Sequence, residues 1–433
     1  MEYFILFLLC YFPFYTVIQL IVFKGLPYTY FVEILKYSKD LIFLLAFLIS
    51  VFGGKKSFIR QSWKLQTLDK LMFVFMGLTV FYALIPLGES TFFNRILYAK
   101  NTLYIGLFYF IGRNLKLSRN QTKLYDNIFI ILILLVFLVC GLEFLFGTHL
   151  HQILEYGKFN LIFKDIEPTG NYGLTWTFER QGGRPRYAAY FADPLEHAAT
   201  LLIFLSFCLF KFYESKTSQE KNWYAVLLGL VGLSFLLASS RSSLVAGGVI
   251  VLATLILNKN YFLLKFVFYV SISTSIYLIF FAEKELQYFI IDSLNFADSS
   301  SLGHVIEWIA SINSMVESPL GIGLAMSGNA SGVEENIRIG GENQFLIYGV
   351  QMGVIGLITY VLVVFKSIYD SLKVYAQSSI EIVRSNALMA GLTKLGLIIP
   401  LLTANAELYL FVSLYSWFLV GNTQNFLLKK EEV

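Results

Sequence analysis

Two adjoining stretches decide the fold of this chain, SLGHVIEWIASINSMVESPLGIGLAMSG (301–328) and GGENQFLIYGVQMGVIGLITYVLVVF (340–365). The first belongs to a polar, glycine-rich insert, residues 282–342, which separates two long apolar runs. A polar segment that interrupts a hydrophobic pattern at this length usually carries function. The insert ends on Glu342, where the next apolar run begins, so this acid is the first candidate functional residue.

The composition of the chain indicates its class. Hydrophobic residues make up 57% of the 433 residues and charged residues only 14%, whereas soluble domains carry roughly 25% charged residues. We therefore expect an all-α polytopic membrane protein that forms a single integral membrane domain over residues 1–433. The net charge of +4 is small for this length and does not suggest a nucleic-acid partner. The cysteines at 10, 140 and 208 lie inside apolar runs and predict neither disulfides nor a metal site.

Apolar runs must be roughly 17–25 residues long to cross a bilayer, and the chain contains about twelve of them. They lie near residues 3–23, 31–51, 67–87, 96–112, 123–146, 188–210, 223–239, 242–257, 261–281, 343–365, 385–402 and 405–421. The second and fourth runs are the most polar. Glu33, Lys36 and Asp40 in the second lie at helical spacing and predict partial neutralisation on one helix face, and the fourth contains Lys100.

Lysine and arginine concentrate in alternate short loops, such as residues 55–64, 113–123 and 211–221, while the intervening short loops hold almost none. By the positive-inside rule, both termini are cytoplasmic. The same rule predicts two long extracytoplasmic loops, residues 147–187 and 282–342. The first of these is itself basic, but long loops are exempt from the charge rule.

Residues 303–316 of the second long loop predict an amphipathic helix that lies on the outer membrane surface. Apolar residues from Val305 to Val316 recur at helical spacing, with Trp308 beside them. His304, Glu307, Ser311 and Ser314 share the opposite face, and for the two serines we expect simple solvation. The stretch SPLGIGLAMSG that follows is a Pro/Gly break. It is not a nucleotide loop, because no Lys-Ser/Thr pair follows its glycines.

Polar residues of both long loops are predicted to meet on the outer face. Arg184 and Arg186 of the first loop and Arg241 of the SSRSS turn (239–243) could grip a phosphate or pyrophosphate in bidentate fashion. The alternative is that these arginines snorkel to lipid headgroups. The second loop contributes four more polar side chains, those of His304, Glu307, Arg338 and Glu342.

Asp193 and Glu196 flank Pro194 at the start of the sixth apolar run. Acids inside a span are candidate functional residues, and the alternative is that both cap the helix. We interpret the neighbouring His197 as structural. Spacing of His, Cys and acidic residues predicts no metal site, and the sequence contains no nucleophile–base motif.

In the order of these motifs, the chain resembles the bacterial O-antigen polymerase and O-antigen ligase superfamily over roughly residues 180–360. The matching elements are RPRYAAYFADP (184–194), the Ser-Arg turn (240–243), the helix with Trp308, the PLGIG break (319–323) and the pair Glu342-Asn343 followed by Gly353 and Gly356. The N-terminal spans match in hydropathy alone. Ligases of the superfamily usually place a histidine before the residue that opens the span, where this chain has Glu342. Many members also carry an arginine four residues before the tryptophan, where this chain has His304. The missing histidine favours a polymerase.

The resemblance implies a cofactor-independent glycosyltransferase on the periplasmic face of a bacterial inner membrane. It would transfer a glycan from undecaprenyl pyrophosphate to the non-reducing end of another lipid-linked repeat unit. Arg241 would stabilise charge on the leaving pyrophosphate without a metal. Glu342 is the first choice, and His304 the second, for the base that accepts the proton of the acceptor hydroxyl. The remaining candidates, expected to bind substrate, are Arg184, Arg186, Asp193, Glu196, Glu307, Arg338 and Asn343.

Alternatives stay open for both the protein and its first candidate residue. The expected partners are an undecaprenyl-pyrophosphate-linked oligosaccharide, membrane lipid and a chain-length regulator protein. An O-antigen ligase would instead use a lipid A-core acceptor. A lipid-linked oligosaccharide flippase could also have about twelve spans, but transporters usually contain internal repeats and broken helices at the midplane. Glu342 itself could be a structural N-cap of the span that follows it.

Overall fold

The computed structural model describes residues 2–26, 29–52, 65–115, 119–180, 183–284, 287–288, 291, 295, 299–328 and 338–430, and this part of the chain contains helices and no strand. The α-helices are α1 (Glu2–Tyr11), α2 (Tyr15–Gly25), α3 (Tyr30–Phe52), α4 (Thr67–Leu84), α5 (Phe92–Asn114), α6 (Arg119–Phe146), α7 (Leu150–Ile153), α8 (Tyr156–Lys164), α9 (Pro194–Glu214), α10 (Ser218–Ala238), α11 (Arg241–Leu257), α12 (Tyr261–Phe280), α13 (Ser299–Glu317), α14 (Gln344–Gln377), α15 (Glu381–Thr403) and α16 (Leu410–Lys430). Short 3-10 turns occupy Trp176–Phe178 and Ala406–Leu408.

Seven of the helices formed by the described residues are long and apolar enough to cross a bilayer. They lie within α4, α6, α9, α10, α12, α14 and α15, while α2 and α11 are apolar but shorter. This architecture supports a polytopic membrane protein, and the number of about twelve spans stays a prediction. The prediction of one continuous helix over 3–23 is wrong, because the chain breaks between α1 and α2 at Pro13, whose ring cannot continue a helix. The basic stretch 55–64 lies outside the described residues.

The charges of the second and fourth apolar runs neutralise one another between helices. Lys100 of α5 donates to Asp40 of α3 at 2.6 Å, and Lys39 lies 3.7 Å from the other oxygen of Asp40. The expected pairing of Lys36 with Asp40 is not found; Lys36 lies over the Phe163 ring, 4.8 Å from its centroid. A cross-helix pair removes charge from both helices at once, which explains how two such polar runs fit in an apolar bundle.

Helix α9 forms the centre of the bundle and α12 its edge. In their most apolar windows, 89% of the α9 residues are buried against 0% for α12. Around this centre, α5 and α16 cross in very close contact at Gly112 and Gly421. A Cβ at Gly112 would lie 2.0 Å from the carbonyl oxygen of Phe418, so no larger residue fits without moving a backbone.

Helix α14 is broken at Gly353, whose φ of 71° and ψ of −174° are not helical. The PLGIG segment fills the break with hydrogen bonds. Ile322 N donates to Val350 O at 2.9 Å, and Val354 N donates to Pro319 O at 2.9 Å. Only glycine readily adopts this backbone conformation, and the break is tolerated because the protein itself satisfies the freed backbone groups. The Pro/Gly break predicted at 319–323 and the glycine of α14 are therefore two halves of one structure.

The first long loop folds into a small cap on α2 and α3. Its core contains Tyr156, Phe159 and Phe178, packed against Leu20 of α2 and Val32 of α3. The imidazoles of His149 and His151 are buried beside these rings. The cap leads directly into the turn that carries the predicted arginines.

Candidate functional site

The predicted site residues lie at one end of the bundle, called here the loop face, which is formed by residues 165–180, 183–193, 239–241, 299–328, 338–343 and 404–409. Arg180, Arg184 and Arg186 are held there by a tight hairpin. Arg180 N donates to Arg184 O and Arg186 N to Phe178 O, both at 2.8 Å. An isolated bridge between Glu179 and Pro185 closes the hairpin. The three guanidinium groups therefore project from a short, hydrogen-bonded turn.

Arg241 joins this hairpin from the first turn of α11. Tyr187 N, which follows the hairpin, donates to Leu237 O at 3.2 Å and so fixes the hairpin to the end of α10. The pKa of Arg180 is lowered by burial and then by the charges of Arg184 and Arg241. The pKa of Arg186 is lowered by burial and then by Arg180 and Arg241, whereas Asp193 opposes this shift. Arg180, Arg184, Arg186 and Arg241 thus form one cluster, the arginine cluster.

The arginine cluster is a charged surface that an anion would stabilise. Among the described residues, no carboxylate lies within ion-pair distance of Arg180, Arg184 or Arg186. The Nε of Arg186 is buried and has no hydrogen-bond partner in that part of the chain. A phosphate group would relieve the mutual repulsion and accept hydrogen bonds from the planar guanidinium groups. Sequence reasoning did not single out Arg180, because only the hairpin brings it back beside Arg184.

Asp193 and Glu196 have structural partners as well as a place at this face. Asp193 is the N-cap of α9, and its Oδ1 accepts from Leu195 N at 2.7 Å and from Glu196 N at 2.9 Å. Glu196 is buried, and its two oxygens accept from Ala192 N at 3.3 Å and Phe411 N at 3.4 Å. The capping alternative therefore describes Asp193, whose charge also faces Arg186.

His304 and Glu342 form the second half of the loop face. The Nδ1 of His304 is in direct contact with the carboxylate of Glu342. The carboxyl of Glu307 has a raised pKa, caused first by burial and next by Glu342, and opposed by Arg338 and His304. The Glu342 side chain is 48% exposed and that of His304 23%. We call these four residues the acid–histidine cluster. Its most exposed carboxylate is directly coupled to an imidazole, as in an acid–base pair.

The N-cap of α14 is Asn343 and not its neighbour Glu342. The Oδ1 of Asn343 accepts from Phe345 N at 3.1 Å and from Leu346 N at 3.2 Å, so Asn343 is the N-cap of α14. The alternative role of Glu342 as that N-cap is therefore wrong. The preceding Gly340 has a φ of 63° and packs against α13, where its Cβ position would lie 2.0 Å from Ser311 Oγ.

Helix α13 buries the two serines that were expected to be solvated. Ser311 and Ser314 are buried, so the expectation of a solvated face is wrong for both. Ser311 Oγ donates to Glu307 O at 2.8 Å within the helix. The apolar residues Ile306 and Ile309 are exposed instead. The polar face of α13 thus turns towards the protein, as expected of a helix whose other face meets lipid.

Tyr409 connects the two clusters and was missed by sequence reasoning. Residues on either side of it in the chain fix its place: Glu407 N donates to Gln344 Oε1 and Phe411 N donates to Glu196 Oε1, both at 3.4 Å. Tyr409 therefore lies between the start of α14 and the start of α9. Asp193 in turn faces Arg186 of the arginine cluster. The 404–409 segment consequently joins the part of the loop face that holds Glu196 to the part that holds Asn343 and Glu342.

A further pair that sequence reasoning missed lies below this surface. Lys394 of α15 and Glu407 are both buried, with Lys394 Nζ 3.6 Å from Glu407 Oε1. The signal was present in the sequence, since a lysine in the middle of an apolar run is a candidate functional residue by default. His197 is structural, as expected: it is buried, and its Nδ1 lies 2.8 Å from Tyr187 O. Within the described residues, no group of three or more His, Cys, Asp and Glu side chains is placed to hold a metal ion.

Comparison with known proteins assigns part of this chain to a family. Residues 224–361 match the Wzy_C family model, described as O-antigen ligase. The match includes Arg241 and the acid–histidine cluster, and it ends before the 404–409 segment. No curated protein matches the chain. The match over residues 224–361 thus confirms the resemblance to the O-antigen polymerase and ligase superfamily that the sequence motifs indicated.

Proposed function

We propose that this chain is a polymerase of O-antigen or a related surface polysaccharide, which joins undecaprenyl-pyrophosphate-linked repeat units on the periplasmic face of the inner membrane. The observation that supports the proposal is the presence at the loop face of both the arginine cluster and the acid–histidine cluster, in which His304 contacts Glu342. A glycosyl transfer from a lipid pyrophosphate needs both chemistries, one for the departing anion and one for the attacking hydroxyl.

The reaction can be written from these two groups of residues. The hydroxyl oxygen of the acceptor sugar attacks the anomeric carbon of the donor glycan and forms the new glycosidic bond. The bond between that carbon and the pyrophosphate oxygen breaks, and undecaprenyl pyrophosphate leaves with the electron pair. The acceptor proton passes to the pair formed by Glu342 and His304. Because these two side chains are in contact, the proton belongs to the pair and not to either residue alone.

The arginine cluster is assigned to the pyrophosphate. The positive charges of its members repel one another. Negative charge that develops on the leaving pyrophosphate offsets this repulsion, so the cluster stabilises the leaving group increasingly as the bond breaks. Arg241, at the N-terminus of α11, adds the favourable end of a helix dipole. Arg338, beside Glu307, is assigned to the acceptor sugar together with Asn343. No metal or nucleotide is required by this assignment.

The choice of a polymerase over a ligase in this proposal rests on Glu342. Ligases of the superfamily usually carry a histidine at the corresponding place, as the resemblance implies, and here the histidine comes from α13 instead. This altered arrangement favours a lipid-linked repeat unit over a lipid A-core as acceptor. A flippase is disfavoured because the clusters converge at one end of the bundle and not at its midplane.

The test is reconstitution of the purified protein with synthetic undecaprenyl-pyrophosphate-linked repeat units. We expect a ladder of products that differ by one repeat unit, together with released undecaprenyl pyrophosphate. Parallel reactions with a lipid A-core acceptor give a single glycan addition if the chain is a ligase. Transport of the lipid-linked unit between leaflets, with no new glycosidic bond, would contradict both enzymatic functions.

Orientation is tested separately in a cysteine-free background. A cysteine at the exposed Thr169 of the cap should react with an impermeant thiol reagent in intact spheroplasts, whereas one at the exposed Ser218 should not. The two cysteine variants serve as controls for each other, because both positions are exposed and close to a helix. Labelling at Ser218 alone would place the loop face in the cytoplasm and end the periplasmic proposal.

A further inference from the structure

The Lys394–Glu407 pair lies where charge is hard to accommodate. Lys394 is close to the middle of α15 and is 0% exposed. Its Nζ lies 3.6 Å from the centroid of the Trp417 ring and 3.6 Å from Glu407 Oε1. Glu407 belongs to the short 3-10 turn between α15 and α16 and is 8% exposed. Apolar replacements for such a pair are often neutral or even stabilising, so stability alone does not explain why it is there.

Glu407 is held by donors from two helices as well as by the lysine. Its Oε1 accepts from Tyr360 Oη of α14 at 2.6 Å, and its Oε2 accepts from Trp417 Nε1 of α16 at 3.0 Å. Ser413 Oγ also donates to Oε2. The carboxylate only accepts hydrogen bonds, and its two oxygens satisfy all three donors at once.

The turn that contains Glu407 reaches the loop face on both sides of Tyr409. Glu407 N donates to Gln344 Oε1 at 3.4 Å, next to the N-cap of α14. Phe411 N donates to Glu196 Oε1, also at 3.4 Å. Tyr409 lies between these two contacts, so the segment holds it beside the N-cap of α14 and the first turn of α9.

We propose that the buried Lys394–Glu407 pair is a positioning device that fixes residues 404–409 and thereby holds the Tyr409 hydroxyl between the arginine cluster and the acid–histidine cluster, where it contacts the substrate. Lys394 and Glu407 act from within the bundle and touch no substrate. Tyr409 donates a hydrogen bond to an oxygen of the bound glycan or its pyrophosphate. This inference rests on the proposed function for the nature of the substrate, but not for the positioning itself.

The positioning is tested without any assay of the reaction. The double variant Lys394→Met/Glu407→Gln removes both charges, so no uncompensated charge remains. The amide oxygen of glutamine still accepts, but its nitrogen does not, so either Tyr360 or the pair Ser413 and Trp417 loses its acceptor. We expect a normal membrane level and at least about tenfold faster hydrogen exchange of residues 404–411. Unchanged exchange in this segment would overturn the positioning role, whatever the protein catalyses.

The link to substrate is tested by a double-mutant cycle on turnover. Tyr409→Phe should lower kcat/KM by roughly tenfold, and Tyr415→Phe, within the following helix α16 and outside the loop face, should leave it unchanged. Adding Tyr409→Phe to the double variant should cost little more, because groups that act as a unit are not additive. Full additivity would overturn the inference that the pair acts through Tyr409.

The cycle separates this inference from the proposed function. If the wild-type protein makes neither polymer nor ligated product, the proposed function fails. The cycle is then measured on binding of undecaprenyl pyrophosphate in detergent. Equal affinity of the wild-type protein and Tyr409→Phe in that measurement would reject the substrate contact of Tyr409.

Discussion

The two ends of the bundle differ in how their charged side chains are paired. At the end away from the loop face, charged side chains meet partners of opposite sign. Arg113 lies 3.3 Å from Asp69, and Arg384 lies 2.9 Å from Glu214, while Lys211 and Lys366 have pairs of the same kind. At the loop face, the members of the arginine cluster lie beside one another, and the exposed Glu342 contacts a histidine instead of a lysine or arginine. Pairs of opposite charge hold helices together, whereas a group of like charges is stabilised when a ligand of the opposite charge binds.

This comparison predicts that substitutions at the loop face change turnover and leave stability intact. Substitutions at the far end are expected to lower stability and leave turnover per folded molecule intact. The largest effect is expected at Glu342. Glu342→Gln keeps the size of the side chain but takes up no proton, so turnover should fall by roughly 10²–10⁴-fold. Polymer formation by the purified variant measures this. Glu317→Gln, at the exposed end of α13, is the matched control and should be unchanged. Near-normal polymerisation by Glu342→Gln would leave His304 as the base.

At the far end, Arg113→Met should unfold the protein more easily. The substitution leaves the carboxylate of Asp69 buried without its cation, which costs about 3–5 kcal/mol in comparable buried pairs. Thermal denaturation in detergent measures the loss, and turnover per folded molecule should stay normal. The double variant Arg113→Met/Asp69→Leu should recover most of the stability. A stable Arg113→Met protein with low turnover would break the comparison between the two ends.

A second substitution at the loop face, Arg241→Lys, tests the same comparison. Lysine keeps the charge but loses the planar fork, so we expect turnover to fall by about 10²-fold with a normal membrane level. Chain-length ladders and immunoblots of membranes measure both quantities. Arg384→Lys at the far end is the control, since a partly exposed ion pair contributes at most about 1 kcal/mol. Wild-type ladders from Arg241→Lys would remove this residue from the site.

The smallest effect concerns the cap, which contains buried neutral histidines. Burial lowers the pKa of His149 to about 4 and that of His151 to about 3. The unfolded cap binds these protons as pH falls below about 6.5, and the folded cap does not. Stability is therefore complete above that pH and declines towards pH 4, by about 1–2 kcal/mol per histidine at pH 5. Hydrogen exchange of residues 147–187 at pH 7 and pH 5 measures the decline, and His151→Phe should reduce it.

The sequence predicts the membrane class and the two groups of site residues because both depend on local pattern. Hydrophobic runs identify helices one at a time, and motifs in order identify Arg241, His304 and Glu342. Partners across the bundle are not a local property. Lys100 and Asp40 pair across 60 positions of the chain, and the Lys394–Glu407 pair closes only when α15 and α16 have packed. Ser311 and Ser314 were misjudged for the same reason, since a polar face can turn inward when the surrounding solvent is lipid.

The break in α14 has a mechanical consequence for the site. Because the hydrogen-bond ladder is interrupted at Gly353, residues 344–352 are a separate lever of about two and a half turns. This lever carries Asn343 and Glu342 at its free end and is joined to the PLGIG segment at its base. Gly353 is therefore the point at which the short lever, with Glu342 at its end, can tilt relative to the long remainder of α14 and the α15 and α16 helices packed on it.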